Sequence, residues 1–300
     1  METPFVPEVG SLFGSLSGSL FEYGGLAFLL AAWIAVSVGS FLNVVIYRLP
    51  VMSQRQFIAE AKEALTIQSH QDETPFNLAV PRSHCPACGH QIRAIENIPL
   101  LSWILQRGRC TACNAPVSVR YPLVELLTLL LTLFVLARYG YTTAGLAACF
   151  FTWVLIAATA IDLDTMLLPD YLTLPLLWLG LIINLSGTWV PIESAVIGAV
   201  VGYLLLWTTY WGFKLLTGKE GMGYGDFKLL AALGAWVGWA LLPMILLLAS
   251  VSGLIWALLR VFSGRMQRGD PMPFGPCLAV AGWLALVAGG SLADLLGMPN

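Results

Sequence analysis

Apolar residues fall in long uninterrupted blocks along this chain, with no period-2 alternation that would suggest a barrel. Residues 26–47, 141–161, 194–213 and 274–293 contain no Asp, Glu, Lys or Arg, and 123–137 and 172–186 are shorter apolar blocks. A helix needs about 20 apolar residues to cross a bilayer, and only helices and closed barrels satisfy their backbone groups in lipid. The pattern predicts an all-α polytopic membrane protein. The run 229–259 would make one helix about 46 Å long, too much for a single upright span. Basic residues flank both its ends, Lys228 before and Arg260 after, so we read it as two short helices turning near Pro243, which gives about eight transmembrane helices. A single deep re-entrant element is the competing reading.

Composition agrees: of 300 residues, 58% are hydrophobic and 11% charged, which excludes a soluble domain. The net charge of −2 decides little, because the positions of the charges matter more. The first 25 residues carry Glu2, Glu8 and Glu22 and no Lys or Arg. They lack the basic start of a signal peptide and are read as an uncleaved outer tail. Eight of the fifteen Lys and Arg residues fall from Arg48 to Arg120, which puts that segment on the cytoplasmic side. Alternating spans then leave only Arg138 outside. The organisation expected is a tail (1–25), a first transmembrane helix (26–47), a cytoplasmic domain (48–121) and a larger transmembrane domain (122–300).

That cytoplasmic segment contains Cys85-Pro86-Ala87-Cys88 and Cys110-Thr111-Ala112-Cys113, separated by 21 residues. Two such knuckles offer four thiolates in the tetrahedral arrangement that structural zinc sites use. Gly89 and Asn114 follow the pairs where a knuckle needs a permissive backbone. Disulfides are disfavoured in a reducing cytosol; a redox or iron–sulfur role is the other alternative. His84 and His90 flank the first pair and are read as neighbours rather than ligands. Cys149 and Cys277 are read as small hydrophobes.

Outside that segment, inner-side acids are Asp162, Asp164, Asp170, Glu220, Asp226 and Asp270, with Glu125 one turn inside its block. Gly223-Tyr224-Gly225-Asp226 sets a carboxylate behind two glycines at the mouth of an apolar run, where burying charge is costly. The glycines permit a tight turn or a close approach. Asp162 closes an apolar run at the same face, where a helix C-terminus disfavours negative charge. Two such carboxylates from neighbouring helices could share a proton and divide acid–base work between them. The bland alternative is helix capping, which suits Asp170 well and Asp226 in part. Asn43, Glu125 and Lys228 either line a cleft or pair with backbone carbonyls and other helices. Lys228 is close enough in sequence to bias Asp226.

Taken together the residues resemble a family, the bacterial type IV prepilin peptidases. The resemblance covers nearly the whole chain beyond the tail. It runs through Gly39-Ser40-Phe41-Leu42-Asn43, Arg48-Leu49-Pro50, both Cys pairs, Glu96-Asn97-Ile98-Pro99 and Arg120-Tyr121-Pro122-Leu123-Val124-Glu125. It continues through Ile161-Asp162, Leu168-Pro169-Asp170, Lys219 to Lys228 with its Gly-x-Gly-Asp motif, and Pro273-Phe274-Gly275-Pro276. The resemblance implies catalytic aspartates at Asp162 and Asp226, with Asp164 ranked next. It also implies metal ligands at Cys85, Cys88, Cys110 and Cys113. The implied reaction removes a basic leader from type IV prepilins or pseudopilins after a glycine, on the cytoplasmic side of the bacterial inner membrane. The new N-terminus is then methylated with S-adenosylmethionine. Zn²⁺ is expected as a structural cofactor. No Gly-x-Gly-x-x-Gly follows a strand, so the methyl donor's contacts are not readable; the neighbourhood of Gly108 and Arg109 is the place to look. Glu60, Glu63, Asp72, Glu73 and Glu96 could meet the basic leader. Bilayer lipid is an expected partner and nucleic acid is not.

Two other classes compete: a transporter with the acids as a cation or proton site, and a zinc-bearing scaffold of a secretion or pilus machine. No span carries an acid near mid-membrane and no inverted repeat is visible, which counts against transport.

Overall fold

The computed structural model describes residues 24–65, 75–219, 221–264 and 272–295. Residues 1–23 of the expected tail, and Asp72, Glu73, Glu220 and Asp270, lie outside the described residues. The described part is all-helical apart from two isolated β-bridges. The chain forms two compact units, Gly24–Phe134 and a second built on Val135–Asn300.

The first unit holds α1 (Gly24–Ala64), a 3₁₀ turn (Ala94–Asn97), α2 (Leu101–Leu105) and most of α3 (Arg120–Tyr139). The helix α1 does not stop where its apolar block stops at Tyr47; it continues through Arg48 and Pro50 for 41 residues in all. Burying the Arg48 guanidinium would be prohibitive without partners. It has them: it donates to the carbonyl of Asn77 at 2.8 Å and to that of Pro81 at 2.5 Å. The Phe76 ring lies against Arg48 and Arg55, 5.7 Å and 4.5 Å from the guanidinium carbons. Residues 76–81 are thereby held against the helix.

Beside α1, α3 approaches closely at Gly39, where a Cβ would come 2.8 Å from the Glu125 Cα. The Asn43 amide donates to the carbonyls of Gly39 and Tyr121, at 3.3 Å and 3.1 Å. Asn43 therefore joins two helices through backbone groups.

The second unit contains α4 (Thr143–Thr165), α5 (Asp170–Asn184), α6 (Ile192–Thr217), α7 (Tyr224–Val237), α8 (Leu242–Phe262) and α9 (Gly275–Leu295). Its centre is α7, buried from Leu229 to Val237 and packed against α5, α6 and α9. In lipid, helices associate through small residues that let backbones meet. Gly198 and Gly202 on α6 do this against Gly234 and Leu230 on α7, each leaving no room for a Cβ. Polar side chains complete the fit. The Trp236 indole donates to the Leu176 carbonyl at 2.8 Å, and the Asn184 amide donates to the Ala235 carbonyl at 2.9 Å. The Asn184 side-chain oxygen accepts from the N–H groups of Trp189 and Val190. On this packing, Gly234→Ala is expected to cost about 1–3 kcal/mol, read as a lower unfolding midpoint in detergent. An unchanged midpoint would contradict the close α6–α7 contact.

The long apolar run is two helices, as expected, but it breaks at 238–241 and not at Pro243. Gly238 takes φ of 80° and ends α7. Pro243 lies in the first turn of α8, where its missing N–H leaves no bond unmade. The second helix pairs with α9.

Among the described residues five helices, α1, α3, α4, α6 and α8, are long and apolar enough to cross a membrane. The 15-residue α5 and residues 275–289 of α9 are shorter apolar helices, and α7 has 14 residues. The molecule is an all-α, multi-pass membrane protein.

Candidate active site and metal centre

Asp162 lies in the last turn of α4, which ends in a left-handed residue, Met166 (φ 54°), whose N–H returns to the Asp162 carbonyl at 2.9 Å. Its carboxylate is buried, at 4% exposure, and accepts a hydrogen bond from the Gly275 N–H at 2.9 Å. Asp226 is the third residue of α7, also buried, at 7% exposure. There the N-terminal end of the helix dipole favours a negative charge. The two aspartates, 64 residues apart in sequence, stand around one point: Leu168 lies against Gly225, next to Asp226, and against Gly275, whose N–H the Asp162 carboxylate accepts. Asp164, two residues beyond Asp162, is exposed, because a two-residue step on a helix turns a side chain to the other face.

Two expectations about this motif need correction. The glycines do not make a tight turn. Gly223 caps α7 at φ −82° and Gly225 is already helical. Gly225 is needed for close approach, since a Cβ there would stand 2.6 Å from the Leu168 Cβ and 3.2 Å from the Leu168 carbonyl oxygen. Nor does Lys228 act on Asp226. Its ammonium donates to both oxygens of Asp170, at 2.6 Å and 2.7 Å, tying α7 to the first turn of α5. That pair is half-exposed, and such pairs are worth little on their own. Asp170 is the first residue of α5, at the dipole end its capping reading required, but it makes no cap: Pro169 is the N-cap and the carboxylate is taken by Lys228.

In the first unit Glu125 is buried and accepts from the Leu100 N–H at 2.7 Å. Leu100 has φ of 60°, so the carboxylate satisfies an amide at a strained turn. This is the structural alternative for Glu125, not the lining of a cleft.

The four cysteine sulfurs lie within 4.8 Å of one another. Cys85–Cys113 and Cys88–Cys110 are 3.9 Å and 4.0 Å apart. A tetrahedron with zinc–sulfur bonds of about 2.3 Å has edges of roughly 3.8 Å, so the cluster fits a metal ion with little adjustment. Both knuckles are built alike. Gly89 N–H returns to the Cys85 carbonyl at 2.9 Å and Asn114 N–H to the Cys110 carbonyl at 3.0 Å. Gly89 (φ 72°) and Asn114 (φ 58°) occupy the left-handed position in each, where glycine and asparagine are best tolerated. The N–H groups of Ala87 and Cys88 hold the Cys85 thiol down to about 7, and those of Cys113 and Ala112 lower Cys110. The His90 N–H pulls Cys88 down, but the crowding thiols prevail and push it up to about 12. Four thiolates together need a cation.

Glu96 straps the knuckles together. It accepts from the Arg93 N–H at 2.9 Å and the Thr111 hydroxyl at 2.7 Å, and pairs with the His90 ring at 3.1 Å. The Arg93 N–H, the Thr111 hydroxyl and His90 hold its carboxyl down to about 2. His90 therefore contacts Glu96, and His84 contacts the Arg82 carbonyl. Glu96, expected among the acids that could meet the basic leader, has its carboxylate engaged within the knuckles; its place three residues after Arg93, at the start of a short turn, was the signal for this role. Glu96→Ala is expected to speed metal release to a chelator by about tenfold, measured by a colorimetric zinc dye. Unchanged release would leave Glu96 a surface residue.

Gly108 has a structural reason of its own. It adopts φ of 64° and packs on the Trp103 ring, which would meet a Cβ at 2.8 Å. The Arg109 backbone pairs with Pro116. A cavity of about 330 Å³ lies beside the first knuckle, lined by Arg82, His90, Gln91, Ile92, Arg93 and Ala94.

Comparison with known proteins bears on both units. Residues 33–139 match the bacterial peptidase A24 N-terminal domain, and residues 149–258 match the type IV leader peptidase family. A prepilin leader peptidase/N-methyltransferase of Aeromonas hydrophila is 56% identical over 89% of this chain and 92% of its own length. Proteins of the same description from Pseudomonas aeruginosa and Burkholderia pseudomallei are 51% and 48% identical. They cover 88% and 97% of this chain, and 91% and 95% of their own lengths. No solved structure matches.

Proposed function

The chain belongs to the type IV leader peptidase family, and from that premise we propose that it is a membrane aspartic endopeptidase and N-methyltransferase. It removes the basic leader from type IV prepilins or pseudopilins after a glycine and methylates the new N-terminal residue. The observation that carries the peptidase reading is the pair of buried carboxylates, Asp162 in the last turn of α4 and Asp226 in the first turn of α7, flanking the shared neighbours Leu168 and Gly275.

One carboxylate takes a proton from water as its oxygen attacks the scissile carbonyl, while the protonated partner donates to the carbonyl oxygen. Collapse of the tetrahedral intermediate breaks the C–N bond, and a proton passes to the departing amine. A site at helix ends suits a substrate whose mature N-terminus is an apolar helix. The reading also places the protein in the bacterial inner membrane with this site facing the cytoplasm, as the distribution of Lys and Arg favours. Spans near eight follow if α5, α7 and α9 cross together with the five longer helices.

Cys85, Cys88, Cys110 and Cys113 would hold Zn²⁺. Four thiolates leave no open position for water, so its role is to hold the knuckles in shape. S-adenosylmethionine supplies the methyl group, and the zinc-bearing unit, around Gly108 and Arg109 or the cavity beside the first knuckle, is where its contacts are sought. A scaffold reading leaves two buried acids without a purpose.

The test is processing of a purified prepilin by purified protein in detergent, read by mass. The expected products are a free leader and a mature chain that gains one methyl group only when S-adenosylmethionine is present. Intact prepilin in both arms would refute the proposal.

A further inference from the structure

We infer that Gly275 and Leu168 are positioning residues of the peptidase centre, setting where the Asp162 and Asp226 carboxylates stand relative to each other. The inference rests on the dyad proposed above. Gly275 is the first residue of α9, and the first N–H groups of a helix have no acceptor within it. The N–H of Gly275 finds one in the buried Asp162 carboxylate at 2.9 Å. The following turn closes on the carbonyl of Phe274, which accepts from Cys277 and Leu278 at 3.0 Å and 3.1 Å. Pro276, having no N–H, takes nothing from this arrangement. The Asp162 side chain is thus fixed by the start of a helix more than 100 residues away in sequence.

The fit leaves no space for a side chain at Gly275. A Cβ there would stand 2.6 Å from the Asp162 Oδ2 and 3.1 Å from the Leu168 Cδ1. The same Leu168 presses its Cβ and carbonyl oxygen against Gly225, the residue before Asp226. Leu168 therefore touches the backbone on both sides of the pair. On one side is the glycine that holds Asp162, and on the other the glycine that leads into Asp226. This explains why the Leu168-Pro169-Asp170, Gly-x-Gly-Asp and Pro273-Phe274-Gly275-Pro276 segments occur in one chain. They are three walls of one site. Displacing either carboxylate by a fraction of an ångström changes the geometry in which a water and a peptide carbonyl must sit between them, and rate is steeply sensitive to such shifts.

The experiment measures kcat and KM for prepilin cleavage by Gly275→Ala, Leu168→Ala and Gly282→Ala proteins, beside Asp162→Asn and Asp226→Asn, with unfolding midpoints for all. Gly275→Ala overfills the site and is expected to lower kcat by about a hundredfold with KM unchanged. Leu168→Ala empties the same place without a clash and lowers kcat by about tenfold, again at constant KM. It keeps the test open should Gly275→Ala fail to fold. Gly282→Ala is the control on the same helix; the three atoms nearest its Cβ would all belong to the Leu233 side chain. It is expected to lower the midpoint while leaving kcat near wild type. Wild-type kcat in folded Leu168→Ala protein, a rise in KM alone, or an equal loss in Gly282→Ala would overturn the inference. Retained cleavage in the two aspartate variants would instead overturn the dyad itself.

Discussion

Asp162→Asn and Asp226→Asn are each expected to lower the rate of prepilin cleavage by at least about a thousandfold, the scale set by removing a positioned acid or base. The substitution keeps side-chain volume and replaces an ionisable group by a neutral amide. At position 162 the amide oxygen can still accept the Gly275 N–H, so the turn at the start of α9 keeps its bond. At position 226 burial at the end of α7 makes a neutral group easier to accommodate than a charged one. Folding is therefore expected to survive both changes. The loss belongs to proton transfer: neither remaining carboxylate can both take a proton from water and give one to the carbonyl oxygen in the same event. Asp164→Asn serves as the control, since that side chain is exposed on the other face of α4; it is expected to cleave at close to the wild-type rate.

The second large effect concerns the cysteine cluster. Wild-type protein is expected to carry about one zinc ion per chain, and Cys85→Ser or Cys110→Ser protein close to none, measured by elemental mass spectrometry. Structural zinc contributes about 10–16 kcal/mol in small isolated zinc-binding peptides. The segment from Ser83 to Val117 has only two short helical turns and two isolated bridges as secondary structure. Beside the two β-bridges, the Glu96 strap and the Trp103–Gly108 contact, single bonds such as Ser102 to the Ile95 carbonyl and Trp103 to the Val117 carbonyl hold it. Loss of one thiolate is thus expected to open this segment to limited proteolysis while the helices of the second unit stay protected. Full zinc content in the Cys85→Ser protein would remove the cage.

Much of this architecture was legible because lipid leaves a chain few choices. Long uncharged runs had to be helices, and four cysteines spaced in two pairs favoured a shared metal over a disulfide or redox role. The acids at 162 and 226 stood out because each closes or opens an apolar run where a charge is expensive. What stayed hidden depended on partners far away in sequence. Arg48 looked like the end of the first helix, since nothing local reveals that the carbonyls of Asn77 and Pro81 receive it. For Lys228, nearness to Asp226 and pairing with another helix were both open, and nothing local names Asp170, 58 residues away, as the partner. Gly238 and Pro243 are both credible breakers, and only the first-turn position of the proline separates them. Of the tight turn and the close approach that the Gly-x-Gly-Asp glycines permit, Gly225 uses the second, and its neighbour Leu168 is 57 residues away. The amide of Gly275 could not be found by any pattern, because a backbone donor carries no residue signature.

The central claim is that cleavage depends on the Asp162–Asp226 pair. Its most direct test is the mass of a purified prepilin after incubation with Asp226→Asn protein whose unfolding midpoint and zinc content match the wild type. The account predicts intact prepilin, with no leader released over a period in which wild-type protein converts all of it. Leader release at a rate near that of the wild type would contradict it.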